Sequence, residues 1–504
     1  MNRQRFIARS FLGLVAALAL SARADVKLHG LFTDHLLLQR EALVPVWGWA
    51  EDGEEITVAF RDQQVKTTAK DGRWMVRLRP LKAGGPDDLT VTGKNTLTLK
   101  NVLVGEVWIA SGQSNMEMAL RSAWEPEPDI ASSANPLIRL YTVPKLKADA
   151  PTNNVFASWR ECTPETVPNF SAVAFYFARD LQRALKVPVG VIHTSWGGSP
   201  AEVWMSERVL AGNPDYQRDI LDPYPAALQR YQENLAAFQK ALAAAQAEGK
   251  PAPRNRPSPG WKPTELYNGM IAPLIPFAFQ GAIWYQGESN AGRAKQYRTL
   301  FADMITNWRE DWGLGDFTFL SVQLAPFTAI KDQPGESPWA ELREAQLLST
   351  KVLPNVGMAV ITDVGDPKDI HPKKKQPVGA RLALAARAIA CGEHLEFSGP
   401  LFKGVKFQGD QAILSFDHVG QGLEARDGEL KGFALAGEDR KFVWGKAEIQ
   451  AHQVVVSSPE VAKPVAVRYG WADCPVVNLW NKDGLPATPF RTDDFPMLTA
   501  PKRK

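Results

Sequence analysis

The chain has 504 residues, more than a single hydrophobic core serves, so two or three domains are expected. Hydrophobic residues make up 45% and charged residues 22%, proportions of an ordinary soluble globular protein, which excludes disordered and fibrous classes. A net charge of +3 from 58 basic and 55 acidic residues supplies no field for a polyanion, so no nucleic-acid partner is expected.

The elements follow in chain order. Arg3, Arg5 and Arg9 precede an apolar stretch over 11–20, and Ala22-Arg23-Ala24 offers the small residues of a signal-peptidase site. This predicts a signal peptide over 1–24 with cleavage before Asp25, and hence export to the periplasm or beyond. No later run approaches the ~20 apolar residues of a spanning helix, so no membrane span is expected. Over 25–100, short alternating runs at 44–49, 56–60, 74–78, 89–92 and 97–99 are broken by Asp52-Gly53, Asp71-Gly72 and Gly84-Gly85-Pro86. That spacing predicts an antiparallel β-sandwich domain.

From 101 to 395 the pattern changes to apolar strands (104–110, 188–193, 280–285, 317–323, 356–361) alternating with amphipathic helices (171–186, 293–312, 338–351, 376–391). Such alternation implies an α/β domain with a parallel sheet covered on both faces. An insertion over about 210–263 interrupts it. Residues 226–248 have strong helix propensity and the five prolines of 251–263 stop the helix, which predicts a helical hairpin arm or lid. Residues 396–504 return to short β runs, a second accessory β region. The three cysteines, Cys162, Cys391 and Cys474, give no disulfide framework and no metal spacing. The Lys373-Lys374-Lys375 run reads as a solvated loop.

In an open α/β sheet, chemistry gathers at the carboxyl ends of the strands, so the polar residues that directly follow the apolar runs are the candidates. Four junctions qualify: Gly112-Gln113-Ser114-Asn115, Thr194-Ser195-Trp196-Gly197-Gly198-Ser199, Gln286-Gly287-Glu288-Ser289-Asn290, and the segment from Asp363 to Pro372 containing His371. Together they hold the parts of an acyl-transfer site. A serine hydroxyl needs a base to take its proton, and a neutral imidazole suits that task near neutral pH, which assigns Ser114 as nucleophile and His371 as base. A carboxylate must orient the imidazole; Asp369 is nearest in sequence, with Asp363, Asp366 and Glu288 as alternatives. Donors for the developing oxyanion are the Ser114 N–H, the N–H of Gly197 or Gly198, and the Asn290 amide. Gln113 and Gln286, within these loops, are candidate substrate contacts. Met116 stands where the Gly-x-Ser-x-Gly elbow needs glycine, and neither a phosphate loop nor a zinc pattern is present, so no metal and no cofactor are expected.

Gly112-Gln113-Ser114-Asn115-Met116, Trp196-Gly197-Gly198, the Trp284–Asn290 segment and Asp369-Ile370-His371-Pro372, in this order, resemble the SGNH-hydrolase superfamily and within it the sialate O-acetylesterase family. Asp34–Arg40 with Pro45–Trp49, and Asn481–Arg491, resemble that family's amino- and carboxyl-terminal regions, so the likeness covers nearly the whole mature chain. The resemblance implies a flavodoxin-like three-layer SGNH-hydrolase sandwich with accessory β-sandwich regions at both ends. It also implies Ser114 as nucleophile, His371 as base, and Gly198 and Asn290 as oxyanion donors, with Glu288 a rival to Asp369. The implied partner is an O-acetylated sugar or glycan. Sialic acids lead, with acetylated xylan or another plant polysaccharide as the alternative, because these motifs concern the acyl group and do not read the sugar. A non-catalytic exported carbohydrate-binding protein, with some of the 16 tryptophans as its binding surface, is the rival from another class.

Overall fold

The structure is a computed structural model that describes residues 25–501; the expected signal segment, 1–24, lies outside the described residues. The central sheet is built from β1 (Thr96–Gly112), β2 (Asn135–Thr142), β3 (Val189–Ser195), β4 (Gly281–Tyr285), β5 (Thr318–Val322) and β6 (Val356–Ala359). They lie in the order β2-β3-β1-β4-β5-β6, all parallel, with Arg160–Cys162 added antiparallel at the β2 edge.

Helices cover both faces. Helices α1 (Ala172–Leu185) and α4 (Gln376–Ile389) pack together on one side, α2 (Ala294–Trp312) and α3 (Pro338–Val352) on the other. Strand β4 shows why the strands read as continuous apolar runs, since every residue in it is buried. Ile283 and Tyr285 join Trp108, Phe177 and Leu382 in one core, and Trp284 between them joins Phe301, Trp308 and Phe319 in the other. The helix starts are set by capping serines: Ser171 accepts from the Ala174 N–H at 3.2 Å and Ser337 from that of Ala340 at 2.9 Å.

Two features of the strands were not foreseen. Strand β2 carries a buried arginine, Arg139, whose guanidinium donates to Asn101 Oδ1 at 2.9 Å and so breaks the apolar pattern. Strand β1 is 17 residues long and runs through the expected boundary at position 100. Its first half closes a sheet with Gly84–Thr92, Glu55–Phe60 and Gln63–Thr68, and its second half is the centre of the parallel sheet. A second small sheet pairs Val44–Trp49 with Arg73–Leu78. Rings of Phe32, Trp47 and Phe277 meet where this region joins the body, so the amino-terminal β region and one face of the central sheet share a core.

The insertion is not a helical hairpin. One 25-residue helix, Pro223–Ala247, projects with no buried residue, and the chain returns through the extended proline-rich stretch. Prolines lack the N–H that a second helix would require. The carboxyl-terminal β region has its own small core and docks on α3: Arg343 donates to the carbonyls of Ala472 and Asp473, and Arg491 pairs with Glu344 at 2.9 Å.

Burial holds two imidazoles neutral. His29, in the amino-terminal region, and His193, on β3, are each lowered to about 4 by desolvation. Unfolded histidine titrates near 6.5, so the unfolded chain binds more protons than the fold below that value, and stability falls as pH drops from about 6.5 toward 4. Each histidine should account for about 2 kcal/mol of loss by pH 4.5. Urea midpoints at pH 7 and 4.5 measure this. Replacing His193 with Gln should flatten the decline, and an equally steep decline would show that its source lies elsewhere.

Candidate active site

The turn at Gly112-Gln113-Ser114-Asn115, after β1, is set by a constraint on Gly112. This residue lies in register between Ser195 of β3 and Tyr285 of β4, with φ +132°. A Cβ built there would stand 2.3 Å from the Tyr285 carbonyl oxygen, so only glycine fits. The Gln113 N–H donates to that same carbonyl at 3.0 Å, and the chain turns at once into a single helical turn, Ser114–Glu117. The last strand residues are thus pinned to the sheet while Ser114 is lifted to its carboxyl edge.

The loop between β6 and α4 brings His371 to meet it. His371 Nε2 lies 2.8 Å from Ser114 Oγ, joining positions 257 residues apart in the chain. Asp369 sits on the other side of the ring, its Oδ1 3.6 Å from His371 Nδ1 while accepting the His371 backbone N–H at 2.8 Å. The alternative carboxylates are committed elsewhere. Asp363 holds Arg381 through two bonds of 2.6 and 2.9 Å, Asp366 accepts the Lys368 N–H, and Glu288 accepts from the side chain of Asn115 at 2.6 Å. Of the four, Asp369 is the one at the imidazole.

The turn after β3 presses against the serine. A Cβ on Gly197 would lie 3.2 Å from Ser114 Cβ, while Gly198, at φ +77°, faces open space. Glu117 fixes this turn by accepting the Gly197 N–H at 2.6 Å. The backbone N–H groups of Ser114 and Gly198 have no partner among the described residues. Asn290 is buried on the neighbouring loop: its Oδ1 accepts from Ala201 N and from Gln286, and its amide gives one N–H to Glu202 Oε2 at 3.0 Å. An amide carries two such hydrogens, so one remains.

The two glutamines expected at the substrate serve the framework. Gln286 is fully buried, donating to Asn290 and Ser199 O and accepting from the Tyr297 hydroxyl at 2.9 Å, so it cannot meet a sugar. Gln113 is also buried, and its side-chain oxygen faces the N–H groups of Gly287 and Ser289 at 3.4 Å each, tying the Ser114 turn to the β4 loop.

Sequence reasoning missed a buried ammonium. Lys373 and Lys374 are exposed as expected for a solvated loop, but Lys375 is 1% exposed and donates to Asn115 Oδ1 at 2.5 Å. Burial pulls its pKa from 10.5 to about 7, against the attraction of Glu288, and burial pushes the Glu288 carboxyl up. A run of three lysines carries no local signal that the third turns inward. The aromatic surroundings were partly legible. Trp108, Trp204 and Trp284 are core residues, whereas Trp124 is exposed beside Lys374, and Trp196 and Trp261 form a half-buried pair flanked by Lys145 and Lys147. Among the described residues no cluster of three or more His, Cys, Asp or Glu is arranged to hold a metal ion.

Residues 257–388 match the family described as carbohydrate esterase, sialic acid-specific acetylesterase, a segment that includes the β4 loop and His371. The sialate O-acetylesterase of Homo sapiens is 30% identical over 536 residues, covering 95% of this chain and 95% of that protein. That of Rattus norvegicus is 29% identical, covering 95% of this chain and 96% of its own length. Among solved structures, a carbohydrate acetylesterase from Xanthomonas citri superposes with a TM-score of 0.81 at 40% identity, over 94% of this chain and all of that one.

The two glycines beside Ser114 should respond differently to a methyl group. Gly112→Ala forces a backbone clash in the sheet and should cost about 3 kcal/mol or more, read as a fall in melting temperature. Gly197→Ala should leave melting within a few degrees yet lower ester hydrolysis at least tenfold, because its methyl crowds the serine itself. Equal stability of Gly112→Ala and wild type would refute the close approach of the Tyr285 carbonyl.

Proposed function

The chain belongs to the sialate O-acetylesterase family, and on that premise we propose that it hydrolyses acetyl esters on sugar hydroxyls through an acetylated Ser114. It is a carboxylic-ester hydrolase. The observation that carries the mechanism is the 2.8 Å contact between Ser114 Oγ and His371 Nε2.

Ser114 Oγ attacks the acetyl carbonyl carbon while its proton passes to His371 Nε2, forming an oxygen–carbon bond and a tetrahedral oxyanion. The free N–H groups of Ser114 and Gly198 receive that oxyanion, with the remaining Asn290 N–H as third donor. Preorganised donors of this kind are worth about 3 to 4 kcal/mol each. Collapse breaks the bond to the sugar oxygen, which leaves with the proton held by His371. Water then adds to the acetyl-serine by the same route in reverse, releasing acetate. Asp369 keeps the imidazole turned toward Ser114 and stabilises its cationic form. Strands β3-β1-β4-β5-β6, with the site at their carboxyl ends, fit a flavodoxin-like SGNH-hydrolase sandwich over 101–395, flanked by β regions at 25–100 and 396–504. The segment over 1–24 supports export to the periplasm or beyond, which the amino-terminal sequence of the mature protein tests.

For the sugar, a sialic acid is favoured over neutral xylan. Lys373 and Lys374, exposed beside His371, form no ion pair among the described residues and suit an anionic substrate.

Ser114→Ala and His371→Ala should each reduce aryl acetate hydrolysis by about a thousandfold or more, and Asp369→Asn by less. Undiminished hydrolysis by Ser114→Ala would end this reading. Acetate release from O-acetylated sialic acids should exceed that from acetylated xylan. The pair Lys373→Gln and Lys374→Gln should raise KM severalfold for the sialic acids alone. A preference for xylan that is indifferent to these lysines would select the neutral substrate.

A further inference from the structure

Asn115 joins three of the four loops of the site: its own turn, the β4 loop and the loop between β6 and α4. Its amide donates to Glu288 Oε1 at 2.6 Å, on the β4 loop, and to the Ile370 carbonyl at 3.0 Å, next to His371. Its oxygen accepts from Lys375 Nζ at 2.5 Å, at the start of α4. Asn115 is itself 1% exposed and adjoins Ser114 in the chain. The Lys375 ammonium also lies 5.1 Å from the centre of the Tyr285 ring, on the strand that pins Gly112 and Gln113.

The arrangement is electrostatically ordered. An amide presents its oxygen to a cation and its hydrogens to a carboxylate and a carbonyl, so the two buried charges polarise it in one sense and each strengthens the other's bond. We propose that Lys375, acting through Asn115 and balanced by Glu288, is a positioning residue that locks the histidine-bearing loop to the nucleophile turn and so sets the Ser114–His371 distance. None of the three touches the reacting atoms; their effect passes through Ile370, whose carbonyl immediately precedes His371. Glu288 thus has a part in the site other than orienting the imidazole directly. Glu288 is buried, and its carboxylate is supported by backbone N–H groups of its own loop, by the Asn115 amide and by the nearby ammonium.

The inference rests on the Ser114–His371 reading, and its test separates the two. Removing one charge of a buried pair destabilises the fold, so Lys375→Met is compared with the balanced double variant Lys375→Met/Glu288→Gln. Each is assayed for kcat and KM with 4-nitrophenyl acetate, for melting temperature, and for the rate at which a fluorophosphonate labels Ser114. In the single variant kcat and the labelling rate should fall at least tenfold, with KM within about twofold of wild type. The double variant should recover most of the lost melting temperature without recovering kcat. Recovery of wild-type kcat together with stability would show that the network only supports the fold, and an unchanged kcat in the single variant would show that it does nothing for the reaction. If the single variant does not fold, the double variant decides alone. Either negative result leaves the assignment of Ser114 and His371 intact, whereas undiminished hydrolysis by Ser114→Ala would remove its premise.

Discussion

The active site depends on where a β-strand is allowed to stop. Strand β1 lies at the centre of the sheet, with β3 and β4 on either side, and at Gly112 the neighbouring carbonyl of Tyr285 comes so close that no side chain fits. The backbone is pinned there and must turn sharply, which carries the next residues out of the sheet. Ser114 is therefore presented at the carboxyl edge on a rigid element rather than on a mobile loop. Catalytic geometry tolerates errors of only about half an ångström, and this close approach is the kind of support that such tolerance needs.

The other groups arrive from loops at the same edge, each fixed by a contact to the Ser114 segment. Glu117 holds the Gly197 turn, Gln113 holds the β4 loop, and Asn115 holds both that loop and the carbonyl before His371. Three side chains of one short stretch thus organise the rest of the site. The polar character of the stretch that interrupts an apolar run has this physical cause: Gln113 and Asn115 are buried, and their hydrogen bonds reach into neighbouring loops, Gln113 to the N–H groups of Gly287 and Ser289 and Asn115 to the Glu288 carboxylate, the Ile370 carbonyl and the Lys375 ammonium. Polar groups buried in this way are costly unless satisfied, and once satisfied they select one arrangement.

Much of this was legible in the sequence because it is local. Helices at 171–186, 293–312, 338–351 and 376–391 were marked by their amphipathic periodicity, and they form within two residues of those bounds, two of them capped by Ser171 and Ser337. The continuity of β1 was not legible, since the pattern changes from alternating to continuously apolar at position 100; Asn101 adopts φ +58°, yet the pairing on both sides carries the strand onward. Strand β2 was hidden by Arg139, whose burial is supported by Asn101 from another strand. The order of polar loops after apolar strands pointed to Ser114 and His371. It did not distinguish Asp369 from Glu288, nor Lys375 from its two exposed neighbours, because those outcomes are decided by partners far away in the chain. Gln286 illustrates the same limit, as its place within a polar loop gave no sign that its bonds are all taken inside the protein.

The central claim is that a carbonyl carbon becomes bonded to the hydroxyl at the end of β1. The direct measurement is rapid quenching of the enzyme during turnover of an acetyl ester, followed by peptide mapping of the trapped acetyl group. The account predicts an acetyl group on Ser114, formed and lost at rates compatible with turnover. Full turnover with no acetylated peptide, or with the label on another residue, would contradict it.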